Sequence, residues 1–102
     1  MNSYRTLEGW KHAHRTARLA HEATNRAYHP RSRSLFDQLR RAAVSVEANI
    51  VEGYALNTTA LCRKHLRIAF GSAAEAECLV RLAGELDYLA GDTVREPRTT
   101  HL

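Results

Sequence analysis

The sequence predicts an all-α fold, an up-and-down antiparallel bundle of three long helices. Three observations carry this. The 102 residues are rich in alanine, leucine, arginine and glutamate, all strong helix formers. Only two prolines and five glycines interrupt them. Apolar residues recur at spacings of three and four along three stretches, the period of a helix with one buried face, and no strand alternation occurs. Residues 1–91 make one domain. Residues 92–102 read as a short polar tail without periodicity, expected to be disordered.

The first helix is predicted over about residues 6–27. Trp10, Ala13, Ala17, Ala20, Thr24 and Tyr28 share one face, with His14 and His21 on its border. Pro30 ends it, because a residue before proline avoids the helical region. The second helix, about residues 34–54, starts at Ser34 as N-cap with Asp37 three residues on. Its apolar stripe is Leu35, Leu39, Ala42, Ala43, Val46 and Ile50, closed by Gly53 as C-cap. The third, about residues 58–90, starts at Thr58 or Thr59 and ends before Gly91. Leu61, His65, Ile68, Ala69, Ser72, Ala76, Leu79, Ala83 and Leu86 share its broad inner face.

Net charge is +4, unevenly spread. Residues 1–41 hold nine Lys/Arg against three acids, and residues 42–102 hold six against eight. Such asymmetry fits an acidic partner such as nucleic acid, or a solvated helix face. The basic candidates are Lys11, Arg15, Arg18 and Arg26 on the first helix, with Arg31 and Arg33 after it. Phosphate binding needs several such groups on one face. Cys62 and Cys78, sixteen residues apart on one helix, stand ~24 Å from each other and cannot pair within a chain. With no signal peptide and no apolar run near ~20 residues, a reduced, cytoplasmic protein without a membrane partner is expected.

Gln38, Arg41, Ser45, Asn49 and Glu52 fall on one polar shoulder of the second helix. Ser72 and Glu75 edge the third. We expect a structural network here, with Arg41 pairing to Glu75 or Glu52, because an unpaired half-buried charge is costly. The catalytic alternative, Glu52, Glu75 and Asn49 with His65, lacks any nucleophile motif, phosphate loop or metal-ligand spacing. The sequence therefore reads as non-enzymatic, with no cofactor and no metal. Val44 and Val51, with Leu66, Phe70, Ala73 and Tyr88, lie off the main stripes. Apolar groups left over on two helices point to an oligomer interface.

The run from Gln38 to Gly53 (QLRRAAVSVEANIVEG) and the run Ile68 to Glu75 (IAFGSAAE) resemble the signatures of bacterial four-helix-bundle proteins related to the 23S rRNA intervening-sequence protein. The accessory variability determinant of diversity-generating retroelements falls in the same group. Tyr4, Leu7, Trp10 and Ala13 match that group's opening pattern. The resemblance spans about residues 4–90. It implies an antiparallel bundle, homopentameric assembly into a ring, no established enzymatic activity, and possible partners in RNA, DNA or a reverse transcriptase. It also implies structural roles for Gln38, Arg41, Ser45, Asn49, Glu52, Gly53, Gly71, Ser72 and Glu75. The family carries a fourth helix. Here residues 92–102 are expected to fall short of one, leaving its groove open to a neighbouring subunit or a partner.

Overall fold

The computed structural model describes residues 4–27, 29–56 and 58–89. They form helices α1 (Glu8–Arg26), α2 (Arg33–Ala55) and α3 (Thr59–Glu85), with single 3-10 turns at Tyr4–Thr6 and Pro30–Ser32. The all-α bundle expected from the periodicity is therefore present, without a strand among the described residues. Tyr28, Gly91 and residues 92–102 lie outside the described residues, as do the expectations that rest on them.

Side-chain pairs fix the topology. Trp10 and His14 reach Glu47, and Arg40 reaches Thr24, so α1 and α2 run antiparallel. Gln38 meets Glu75, Ser45 meets Ser72 and Asn49 meets His65, so α2 and α3 do the same. Helix α2 is central and packs along both neighbours. The core is small-residue rich: Leu39, Ala42, Ala76 and Leu79 form its middle. Phe36, Ala83 and Leu89 form one end, where Ala23 of α1 and Ala27, just past its end, also pack. Ala13, Ala17 and Thr24 are the buried line of α1, as its wheel predicts.

The helix ends differ from expectation in three places. Ser34 is not the N-cap of α2: the helix begins at Arg33, continuing from the Pro30–Ser32 turn. That turn is held by its own hydrogen bonds. The Arg31 amide donates to His29 Nδ1 at 3.1 Å, and Ser32 Oγ donates to the His29 carbonyl at 2.8 Å. Pro30 supplies the preset φ. Gly53 is not a cap either but a buried helical residue two positions before the end. A Cβ there would stand 3.3 Å from His65 Cβ and 3.4 Å from the Cys62 carbonyl, so its absence lets α2 and α3 close up.

The third difference is at the end of α3, which stops at Glu85 rather than near Ala90. Asp87 takes the left-handed conformation at φ 61°. The Asp87 amide donates to the Gly84 carbonyl at 3.0 Å and the Tyr88 amide to the Ala83 carbonyl at 2.8 Å. This pair of bonds is a Schellman stop, with aspartate in the place usually held by glycine. It turns the chain so that Tyr88 meets Phe36 edge-on at 6.3 Å and lies over His29 at 6.1 Å. At the other end, Thr58 caps α3 by accepting from the Leu61 amide, so the helix starts where the sequence places it.

Tyr88, one of the expected interface residues, is half-buried at this end of the core. The remaining interface candidates are on the surface or close to it. Phe70 is 79% exposed, Leu66 48% and Val44 46%, Ala73 is exposed and Val51 half-buried. Leu61, Ile68 and Leu86, placed by the sequence on the inner face of α3, are also exposed. The reason is coverage: α3 packs chiefly along α2, and one main neighbour covers only part of a broad apolar face.

Candidate nucleic-acid interface

The basic residues separate into two groups. Lys11, Arg15 and Arg18 lie on α1 and line one groove of about 330 Å³ together with Trp10, His14 and Leu19. Arg26 ends α1, Arg31 sits in the 3-10 turn and Arg33 opens α2. All six are exposed. Lys11 is 3.2 Å from Glu8 and Arg18 is 3.6 Å from Glu22, both exposed pairs of small worth. Arg15, Arg26, Arg31 and Arg33 form no ion pair among the described residues, so their charge faces solvent.

Beside the cations stands an aromatic column that sequence reasoning did not assemble. Trp10 and His14 are stacked, ring centroids 4.8 Å apart and planes 18° from parallel. Tyr4 meets Trp10 edge-on at 5.3 Å. Glu47 of α2 fixes both stacked rings: Trp10 Nε1 donates to its Oε2 at 3.0 Å, and His14 Nδ1 does so at 2.9 Å. A carboxylate only accepts, so this bond places a proton on Nδ1 of His14. A second hollow of about 290 Å³ follows, lined by His14, Ala17, Arg18, His21, Glu22 and Glu47. His21 donates through Nδ1 to the Ala17 carbonyl at 3.0 Å. The local signal for this column was the spacing of Trp10, His14 and His21 along one side of α1. Glu47 had no local signal, because its partners are more than thirty residues away.

The polar network between α2 and α3 forms, with one member missing. Gln38 donates to Glu75 at 3.2 Å. Ser45 and Ser72 share a hydrogen bond of 2.8 Å. Asn49 donates to the Ser45 carbonyl at 2.8 Å and accepts from His65 Nδ1 at 2.9 Å. Glu52 stands 3.5 Å from the same nitrogen. Arg41, expected to pair with Glu75 or Glu52, is exposed and makes no ion pair among the described residues. Full hydration removes the need for a carboxylate. Neighbouring Arg40 is the paired arginine: it donates to Thr24 Oγ1 and Asn25 Oδ1, each at 2.8 Å, tying α2 to α1.

An open cleft of about 690 Å³ lies at the α2–α3 turn against Gly53, Tyr54, Cys62 and Leu66, with Arg63 and Arg67 beside them. Among the described residues no three His, Cys, Asp or Glu side chains are grouped to hold a metal ion, and no helix is long and apolar enough to cross a membrane. Both cysteines are free thiols. The family model described as 23S rRNA-intervening sequence protein matches residues 5–100. No curated protein matches the chain.

Proposed function

Because the chain belongs to the 23S rRNA-intervening sequence protein family, we propose that it is a non-catalytic, oligomeric helical scaffold that binds nucleic acid through α1. The observation that carries this reading is the groove in which Lys11, Arg15 and Arg18 stand beside Trp10, His14 and Leu19. Cations attract phosphates without regard to sequence. Aromatic rings beside them offer a surface for bases. Arg26, Arg31 and Arg33 extend positive charge past the end of the helix.

Three cations in one groove make a weak site. Repetition around an assembly raises avidity without deepening it. The exposed Phe70 and Leu66 supply apolar surface for copies to meet. The test is a salt titration with a short RNA or DNA. The logarithm of affinity should fall with the logarithm of salt at a slope of about −2 per copy, the value for three neutralised phosphates on a single strand. Exchanging Arg15 and Arg18 for glutamate should abolish binding. Absence of any affinity at low salt refutes the proposal.

The same exposed phenyl ring also favours a second reading, a protein-interaction module with no nucleic-acid ligand. A nucleic-acid enzyme such as a reverse transcriptase would then be held through apolar contact. In that case the Arg15 and Arg18 exchanges leave every partner interaction intact.

A further inference from the structure

Resting on the nucleic-acid reading of α1, we infer that this face selects single strands by taking one unpaired base into the slot between His14 and His21. Residues seven apart on a helix are separated by ~10 Å along its axis. Stacked rings sit at centroid distances of about 4.5–7 Å, so a rise of ~10 Å along the helix between the two residues leaves room for one planar base. The hollow there, about 290 Å³, is bordered by both histidines, with Ala17, Arg18, Glu22 and Glu47 around it.

The base extends a column that already exists. Trp10 covers one face of His14, and Tyr4 abuts Trp10. Glu47 holds the Trp10 and His14 rings through Oε2, so they are ordered before any ligand arrives, which lowers the cost of binding. The other carboxylate oxygen, Oε1, receives no hydrogen bond among the described residues. A carboxylate accepts from an exocyclic amino group such as cytosine N4 and offers nothing to the carbonyls of uracil. Lys11, Arg15 and Arg18 line the adjoining groove, which shares His14 and Arg18 with the slot, so a strand's phosphates have cations within reach of the stacked base. In a duplex the base is already stacked and paired, and extracting it costs a few kcal/mol.

Trp10 is the sole tryptophan in the chain, so its emission reports on this column directly. The experiment titrates the full chain at low salt with a twelve-nucleotide oligocytidine RNA, an oligouridine RNA of the same length, and a twelve-base-pair RNA duplex. Oligocytidine should quench Trp10 and bind about tenfold more tightly than oligouridine or the duplex. His14→Ala and His21→Ala should each weaken oligocytidine about tenfold, and His21→Ala, which lies outside the basic groove, should leave duplex affinity unchanged. The His14 side chain is 45% exposed and His21 is exposed, so both variants retain the core, which far-ultraviolet circular dichroism checks. Equal affinity for duplex and single strand, with both histidine variants unaffected, overturns the slot while the basic-face reading stands. No binding by any of the three overturns both.

Discussion

Two glycines of the same helical bundle are expected to respond to alanine with opposite signs. At Gly53 the added methyl would lie 3.3 Å from His65 Cβ and 3.4 Å from a backbone oxygen, and neither is the end of a flexible chain. Forcing α2 and α3 apart there should cost about 1 kcal/mol net of the helix-propensity gain. At Gly71 the methyl meets nothing within 4 Å. Gly71→Ala should therefore stabilise by about 0.5–1 kcal/mol, the ordinary gain from removing a mid-helix glycine. Urea unfolding of both variants checks the contrast, and destabilisation by Gly71→Ala would show that a neighbour occupies that side of α3. Asn49 is the joint of the polar network, holding the Ser45 carbonyl and the His65 ring at once. Asn49→Ala strips His65 Nδ1 of its closest partner at a half-buried position, and a loss of about 1–2 kcal/mol should appear in the same assay.

At the scale of the helix, the sharpest expectation concerns the stop after α3. Asp87 holds a left-handed φ of 61°, a conformation that penalises a side chain and is tolerated by aspartate better than by most residues. Asp87→Gly should stabilise by up to about 1 kcal/mol, and Asp87→Val should destabilise by about as much or more. Thermal unfolding followed at 222 nm reads both. A null result for valine would mean that the turn is not held at this angle in solution. This stop also shows what was readable in the sequence and what was not. Much of the buried faces followed from periodicity, because burial of every third or fourth residue is what writes the pattern: Ala13, Ala17 and Thr24, then Leu39, Ala42 and Ala43, then Ala69, Ala76 and Leu79, though not Leu61, Ile68 or Leu86, which share the α3 stripe and stay exposed. Helix ends depend on a few backbone bonds. Asp87 stands where glycine is the usual signal, so the sequence pointed past it to Gly91. The basic candidates lay in plain view, as charge does. The groove did not, because Trp10 and His14 are ordered by Glu47 across a distance of more than thirty residues. Arg40 and Arg41 are adjacent and alike in sequence, and only the position of Thr24 decides which one is paired.

For the whole molecule, the arrangement of three helices decides what is left uncovered. With α2 in the centre, α1 and α3 each bury one side against it. The outer positions of α3 then keep large apolar groups in water, Phe70 most of all at 79% exposure, with Leu66 one turn before it. Leaving a phenyl ring hydrated forgoes about 2 kcal/mol that burial against another surface would return. In the proposed assembly that gain would repeat at every joint between copies, so a thin core would be offset by burial between chains. Phe70→Arg removes the incentive without touching the interior, since the residue contributes almost nothing to the fold of its own chain. The variant should keep its helical content and its unfolding midpoint as a dilute monomer, while native mass measurement shows the assembly reduced to single chains. Its nucleic-acid affinity should fall with it, by far more than any local contact at Phe70 explains, because the basic grooves of α1 would then act one at a time. If Phe70→Arg leaves both the mass and the affinity unchanged, copies do not meet through this part of α3, and Val44 and Val51 on α2 become the surface to alter next.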